Sequence, residues 1–336
     1  MKTRAACILA ASTVLASCAV YRRTSDPVPL TAFPTTAPIL VDQSTAAISA
    51  AATPPVKEAG VSAATKPYVS PPDAIVKVPT PKLWGLVSIT EAIVSPAQLI
   101  GPEVPYSPAF RALPAFPEKL VFDMSWGLLA VGEATLGVDK IVMFNGRPAY
   151  HLVSEARSNS FCDTFYMVRD LSESWLDART LTSLGYSKKV REGHFFRDEW
   201  VLYDRDADIF VNRRVNKDGS FSVRTGTIPT QVQDILSSIY YTRSLPLQDA
   251  AEVKVDVNTP DNWPLLIRVM KRETLEVPAG RFQSVQVEPA MIREGIFVQK
   301  GKRLRLWFSD DPSKRMLMLK AEVFFGNITA SLREML

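Results

Sequence analysis

Residues able to carry acid–base or metal chemistry are few in this chain. It has two histidines, His151 and His194, and both fall in segments that alternate between polar and apolar residues, as half-buried strands do. A zinc site needs three or four ligands of the His, Cys, Asp or Glu type, so the sequence predicts no metal and no cofactor. Candidates for acid–base catalysis are His151, His194, Asp163 and Asp170. They can act together only if the fold brings their side chains into one cleft.

Other reactive groups have simpler structural interpretations. Asp310 and Asp311 are adjacent, and adjacent strand residues point to opposite faces, whereas Ser-Asp-Asp-Pro favours a turn. Cys162 lies in the stretch 158–168, rich in apolar residues, and is expected as a half-buried packing residue rather than a nucleophile. The 39 basic and 35 acidic residues nearly balance. Without a basic stripe, nucleic acid is not an expected partner.

The first residues have the layout of an export signal. Lys2 and Arg4 precede about a dozen small or apolar residues, fewer than the roughly 20 that span a bilayer. Leu-Ala-Ser-Cys at 15–18 resembles the lipobox of bacterial lipoproteins, which implies a signal peptide over 1–17 and a lipidated Cys18 as a lasting membrane anchor. The alternative is an ordinary signal cut nearby, with Cys18 incidental.

The residue after Cys18 indicates the membrane to which the lipoprotein is sorted. Ala19 directly follows Cys18, and by resemblance to the sorting rule of many Gram-negative lipoproteins the absence of Asp at this position implies the outer membrane, facing the periplasm. With Cys7 in the signal and Cys18 lipidated, Cys162 is the cysteine that remains. No intramolecular disulfide is then available, so the fold depends on a packed core.

Proline content marks a boundary in the chain. Of the 25 prolines, 17 lie between residues 19 and 117, in a segment without sustained helical or alternating patterns, which is typical of a disordered tether. We interpret 18–117 as a lipid-anchored Pro/Ala/Thr-rich linker. Within it, residues 82–94 are apolar enough to dock on the folded domain as a short helix or strand.

From residue 118 to 336 the pattern changes to alternation with period two. Leu120, Phe122, Met124 and Trp126 share one face of a predicted strand. Similar strands are separated by turn signals. The predicted strands cover 120–126, 149–157, 194–204, 207–215, 251–258, 265–277, 281–289, 302–311 and 315–325. The sequence therefore predicts an all-β domain, a mainly antiparallel sandwich or partly closed barrel.

One segment of the domain follows helical spacing instead. Thr230 and Gln233 have the spacing of a capping box, and apolar residues then recur at helical intervals through Tyr240. We predict one amphipathic helix that plugs an open end of a barrel or covers a sheet face. Asp234 in its first turn favours the helix dipole.

Glycines indicate where the sheet bends. Gly127, Gly132 and Gly137 occur at intervals of five residues in the first hairpin, where glycine relieves strand curvature or forms a bulge. Gly326 occupies a similar place in the final strand region. We hypothesise that these two regions pair and close a barrel.

Several stretches together resemble a family of exported bacterial proteins of unknown function, DUF3108. The stretches, in chain order, are WGLLAVGEATL, VQDILSSIYYTRSLPL, VPAGRFQSVQVEP and LRLWFSDDPSKRMLMLKAEVFFGNITASL. The resemblance covers about 118–336, the whole predicted domain and none of the linker. It implies a β-rich envelope domain and supplies no catalytic residues.

Function follows from these elements only in outline. The leading hypothesis is a lipid-anchored periplasmic domain whose apolar inner face receives a lipid-like or otherwise amphipathic ligand, by analogy with envelope carriers. The residues expected to line such a site are Trp126, Trp175, Trp200, Trp263 and Trp307. The alternative is a non-enzymatic scaffold that holds an envelope protein partner, favoured by a solid core and an exposed apolar patch. An enzyme ranks third.

Overall fold

The computed structural model describes residues 94–259, 261–291, 303–323 and 326–336. The predicted signal peptide, Cys18 and the linker up to residue 93 lie outside these ranges. None of the helices within them has the length and apolar character that crossing a membrane requires.

Fifteen strands and three helices make up the described ranges. The helices are α1 (Pro96–Leu99), α2 (Ser160–Asp163) and α3 (Ile235–Ser244). The strands are β1 (Ile100–Val104), β2 (Glu118–Trp126), β3 (Leu129–Phe144), β4 (Arg147–Ser158), β5 (Arg169–Asp177), β6 (Ser183–Glu192), β7 (Phe195–Asp204), β8 (Ile209–Asn216), β9 (Phe221–Thr227), β10 (Glu252–Asn258), β11 (Asn262–Val277), β12 (Gly280–Met291), β13 (Leu304–Ser309), β14 (Met316–Glu322) and β15 (Asn327–Met335). The prediction of an all-β fold with one helix of several turns is confirmed.

The strands form one antiparallel sheet whose order is β10-β11-β12-β13-β14-β15-β2-β3-β4-β5-β6-β7-β8-β9. The hypothesis that the first hairpin pairs with the last strand is confirmed, because Ile328 of β15 is opposite Trp126 of β2. The second part of the hypothesis, that this pairing closes a barrel, is wrong. The β15–β2 pair lies within the sheet, and the order in the described ranges ends at β9 and β10, so this pair does not close a barrel.

Glycine at position 132 permits a close approach between β3 and β4. A Cβ atom there would lie 2.1 Å from the carbonyl oxygen of Arg157. The neighbouring β2–β3 register shifts between Met124 and Ser125, opposite this part of β3. The prediction that Gly132 serves strand curvature therefore has a direct steric basis.

The end of the predicted linker packs on the sheet. β1 pairs with residues 141–144 of β3, beyond the last β2 partner in β3, Val138. The backbone N–H of Asn145 also donates to the carbonyl of Leu99, at 2.9 Å. Leu99 and β1 thus take the place beside the end of β3 that β2 leaves free.

One face of the sheet packs against α3 and forms the main core. We call it the inner face. The main core joins residues from both halves of the sheet, which explains how a single long meander becomes a stable unit. Its large, fully buried members include Phe122, Leu136, Tyr150, Leu152, Tyr240 and Phe308.

The predicted N-cap of the helix, Thr230, lies four residues before the observed one. Asp234, not Thr230, is the N-cap of α3, and its carboxylate accepts from the backbone N–H groups of Leu236 (2.8 Å) and Ser237 (2.9 Å). Gln233 is unavailable for capping, because its backbone N–H donates to the carbonyl of Asp256 and its amide nitrogen donates to that of Leu181. The helix therefore begins only after this extended residue.

Asp234 also fixes the helix to the sheet. Its second carboxylate oxygen accepts from the hydroxyls of Ser174 in β5 (2.7 Å) and of Ser183 in the neighbouring strand β6 (2.5 Å), and all three residues are buried. We expect Asp234→Ala to lower the free energy of unfolding by about 2–4 kcal/mol, from the lost cap and two buried hydroxyls without an acceptor.

Chemical denaturation of Asp234→Ala and Asp234→Asn measures this effect. Asparagine keeps an oxygen for the helix N–H groups, so we expect it to lose less than half as much stability as alanine. Equal losses for the two variants would show that the carboxylate position does not hold α3.

Candidate functional site

The five predicted tryptophans are distributed over two faces of the sheet. Trp126 packs beside the main core. Trp307 is buried, and its indole N–H donates to Oε1 of Glu273 at 2.8 Å. Trp263 is half-buried at the start of β11. Trp175 and Trp200 lie together elsewhere, so ligand binding by the five as one set stays a prediction.

Trp175 is the centre of a second apolar layer, the outer cluster, formed with Val142, Phe144, Ala149, Leu184 and Leu202. Its position opposite His151 in the β4–β5 pair puts it on the face opposite the main core, to which the next pair, Tyr150 and Leu176, belongs. The Trp175 ring stacks on Phe144 at 4.7 Å. A recess of about 20 Å³ beside this cluster has room for one water molecule.

The four acid–base candidates do not converge. His151 stacks on Trp175 and its Nε2 lies 3.1 Å from Oε1 of Glu173, and this hydrogen bond holds the pKa of the Glu173 carboxyl below its ordinary value. Asp170 is buried and accepts from the backbone N–H of Arg191. His194 lies in the β6–β7 turn, so its assignment to a strand is wrong.

The remaining reactive groups serve the fold. Asp163 pairs with Arg169 at 2.6 Å, and that hydrogen bond lowers the pKa of the Asp163 carboxyl. Cys162 is buried more fully than predicted, and burial raises the pKa of its thiol. Asp311 accepts from the backbone N–H of Ser313, as the turn prediction requires. Within the described ranges, no three His, Cys, Asp or Glu side chains are placed to hold a metal ion.

Charged side chains occupy part of the inner face. Glu199 and Lys188 are opposite each other in the β6–β7 pair and both are about 95% buried. Glu199 also accepts from Asn212 (3.0 Å) and Arg214 (3.1 Å) of β8. We call Lys188, Glu199, Asn212 and Arg214 the inner charged cluster. Burial opposes the ionised form of Glu199, but the adjacent Lys188 and Arg214 hold the pKa of its carboxyl below the ordinary value.

The molecule's exposed apolar side chains concentrate at one end of the sheet. The connections β2–β3, β4–β5, β6–β7 and β8–β9 share this end because adjacent strands are antiparallel. These connections, with the first residue of the strand that follows each of three of them, carry seven of the twelve large hydrophobic residues that are exposed in the described ranges. We call these seven residues the tip surface: Leu128, Leu129, Phe161, Phe165, Met167, Phe195 and Phe221.

Hydrogen bonds between neighbouring connections hold the tip surface in place. The side chain of Asn159 donates to the carbonyl of Ala130 at 2.8 Å, which ties the β4–β5 connection to the start of β3. The same side chain caps α2 by accepting from the N–H of Cys162. The N–H of Gly193 donates to the carbonyl of Met167 at 2.8 Å, which ties the next turn to it. The apolar side chains are therefore presented by fixed backbone.

Exposure is greatest in the β2–β3 and β4–β5 connections. Leu128 is fully exposed, Phe165 is 71% exposed and Phe161 is 59% exposed. The two phenylalanine rings contact each other edge to face, with centroids 5.5 Å apart. Apolar side chains grouped in this way on a protein surface indicate an interaction site.

Basic residues surround the apolar side chains. The tip segments 127–129, 157–169, 191–197 and 213–221 contain seven basic and three acidic residues. Four of the basic residues pair with carboxylates: Arg157, Arg169, Arg191 and Arg214. Arg197 lies over the ring of Phe195 at 4.8 Å, and Arg213 over that of Phe221 at 4.6 Å. Cation–π contacts keep these guanidinium groups beside the exposed rings.

The family comparison agrees with this fold. The family model described as protein of unknown function DUF3108 matches residues 121–333. The chain belongs to the DUF3108 family. The match covers β2 through most of β15 and includes all seven residues of the tip surface. The predicted membership is confirmed, and it assigns no reaction.

Solved structures similar to this DUF3108 chain are distant in sequence. A beta-barrel-like protein of the DUF1849 domain of unknown function, from Brucella abortus, is 9% identical, with 67% of this chain and 98% of that chain covered and a TM-score of 0.46. A protein with a YmcC-like fold from Bacteroides fragilis is 8% identical, with 68% and 99% covered and a TM-score of 0.31. No curated protein matches the chain significantly.

Sequence reasoning missed the tip surface, although a signal was present. In the stretch around Cys162, a role is predicted for the cysteine and none for the phenylalanines beside it. Phe161, Phe165 and the Leu128–Leu129 pair lie in connections between predicted strands, where polar turn residues are the rule. Large apolar residues in these connections were therefore the sequence signal for an exposed apolar surface.

Proposed function

We propose that this chain is a lipid-anchored protein of the bacterial cell envelope whose β-domain is a non-enzymatic interaction module that acts through its tip surface. The observation that carries the proposal is the collection of seven exposed apolar side chains at four alternate connections, all at one end of the sheet. A soluble domain without a binding partner gains nothing from exposing such a group, because burial of apolar surface is favourable.

The anchor and destination belong to the same proposal. The charged and apolar first residues and the Leu-Ala-Ser-Cys stretch ending at Cys18 support export and lipidation. Ala19 supports the outer membrane as the destination, with the domain in the periplasm. The partner is then another component of the envelope.

The ligand-carrier hypothesis has less support than this surface function. Its apolar inner face is occupied by side chains that are fully buried, such as Phe122, Leu136 and Leu152. A lipid-like molecule would need to displace this packing, which is unfavourable in a dense protein interior. The same packing supports the scaffold alternative.

Photo-crosslinking in bacterial cells tests the proposal. A photoreactive phenylalanine analogue replaces Phe165 in the full-length protein, and the matched control carries it at Met270, which is 50% exposed in β11 and outside the tip surface. We expect a defined adduct from position 165 that is absent from position 270. Its yield should fall when Leu128→Ser and Phe161→Ser are added.

The opposite result would refute the proposal. Equal adducts from both positions, or neither a protein adduct nor a lipid adduct from position 165, would mean that the tip surface has no specific partner. Comparable protein levels of all variants, measured in the same cells, separate a lost contact from a lost fold.

A further inference from the structure

The arrangement of the tip surface indicates the kind of partner it meets. The apolar side chains come from separate turns and stand out from them, as the fully exposed Leu128 and the 71% exposed Phe165 do. Protein partners favour a continuous, well-packed patch with shape complementarity. Separate apolar protrusions instead suit a fluid acceptor that adapts to each one, such as the interface of a lipid bilayer.

The charge of the tip segments favours an anionic acceptor. Of their seven basic residues, Arg157, Arg169, Arg191 and Arg214 pair with carboxylates. The other three carry the positive charge that favours such an acceptor: Arg197 and Arg213 lie over exposed rings, and Lys217 is exposed in the β8–β9 turn. Basic residues near a membrane surface are attracted by anionic headgroups. Self-association through the same end would oppose two positively charged surfaces, which disfavours a second copy as the occupant.

Pairing of arginine with aromatic rings adds to this interpretation. Arg191 lies over the ring of Phe196 at 3.6 Å, on the face of β7 opposite to the Arg197–Phe195 contact, and also pairs with Asp198 at 2.8 Å. An arginine on an aromatic ring places an apolar plane and a cation side by side, and each group matches one layer of the membrane interface: the ring the acyl boundary, the cation the headgroups.

We infer that the partner of the tip surface is an anionic lipid bilayer, on which the domain docks with its β2–β9 connections toward the headgroups. The inference rests on the proposed function and names the partner of the same surface. Docking brings the domain down onto a membrane, in addition to any attachment through Cys18. Leu128, Phe161 and Phe165 enter the acyl boundary, and the basic residues contact the headgroups.

Lipid-borne quenching of a fluorophore tests the docking. The full-length protein, with an environment-sensitive label at Phe165→Cys or, as the matched control, at Met270→Cys, is added to vesicles that contain a nitroxide-labelled lipid. The vesicles are either pure phosphatidylcholine or contain phosphatidylglycerol, and quenching is measured on the protein that floats with them. The unsubstituted protein, in which Cys162 is buried, corrects for other labelling.

We expect quenching at position 165 that exceeds quenching at position 270 and rises with phosphatidylglycerol. Lys217→Gln removes one exposed charge and should lower the docked-to-free ratio about fivefold. Leu128→Ser with Phe161→Ser should lower it about tenfold or more. Circular dichroism of each variant checks that the sheet is retained.

Failure of this inference is distinguishable from failure of the proposed function. Equal quenching at positions 165 and 270, or quenching that ignores phosphatidylglycerol, would overturn bilayer docking. If position 165 nevertheless crosslinks to one protein in cells, the tip surface is a protein-binding site and the proposed function stands. With neither quenching nor crosslinking, both are wrong.

Discussion

Replacing Arg243 with alanine is expected to lower the free energy of unfolding by about 3–5 kcal/mol, because it removes the two hydrogen bonds of the buried Glu118 carboxylate to Arg243 and leaves it only a longer ion pair, at 3.7 Å, with Arg315. Both guanidinium nitrogens at the end of Arg243 donate to Glu118 of β2, and neither side chain is more than 5% exposed. Nη2 also donates to the carbonyls of Pro114 and Ser313, both at 3.1 Å. Arg243 thus ties α3 to the middle of the sheet.

Thermal and chemical unfolding of Arg243→Ala measure this effect. A loss of this size corresponds to a fall in melting temperature on the order of 10 °C for a domain of this length. The control is Arg333→Ala, which breaks pairs with Asp123 and Glu133 that are about 40% exposed. Exposed pairs contribute about 1 kcal/mol or less, so similar losses in both variants would contradict the role of burial.

Glu199→Ala is expected to cost a similar amount, about 3–5 kcal/mol, for a related reason. The substitution leaves Lys188 buried in β6 with its closest carboxylate gone and removes the acceptor for Asn212 and Arg214. Chemical denaturation measures the loss. The control is Glu252→Ala, whose carboxylate is 53% exposed and pairs with Arg268.

A double variant separates charge burial from packing. Lys188→Met with Glu199→Leu removes both buried charges and keeps apolar volume, so it should be less destabilised than Glu199→Ala alone. A double variant as unstable as the single one would show that the cost comes from packing and not from the loss of the Lys188–Glu199 ion pair.

Glu199 also gives a pH dependence with a definite sign. Its native pKa is lowered, so the unfolded chain binds more protons near the ordinary glutamate pKa of about 4.3. Its stabilisation is therefore present above that pH and is lost as the pH falls through the native pKa. The stability difference between wild type and Glu199→Gln should shrink as the pH falls below about 4.3, and a difference that grows would contradict the assignment.

The sequence predicts most strands because their buried faces are apolar. In β2, for example, Leu120, Phe122 and Met124 are buried on one face as the alternation requires. β5 and β6 are not among the predicted strands, because some of their buried positions hold polar residues. Ser172, Ser174 and Lys188 are buried, so their inner positions look like solvent-facing ones when only the sequence is read.

Two further features depended on contacts between distant residues. The position of the helix cap is decided by the bridge between Gln233 and Val257 and by the hydroxyls of Ser174 and Ser183, none of which is visible in a local pattern. The tip surface gathers short segments nearly a hundred residues apart, from Leu128 to Phe221. Only the order of the strands brings these segments to one end.

Native mass spectrometry of the full-length protein, followed by solvent extraction, tests most directly the claim that the domain acts through its tip surface rather than through an interior ligand. The account predicts the mass of the chain with lipid on Cys18 and no further molecule at fixed stoichiometry. One apolar molecule per chain, released by solvent and still bound by the variant with Phe161→Ser and Phe165→Ser, would place a ligand inside the fold and contradict the account.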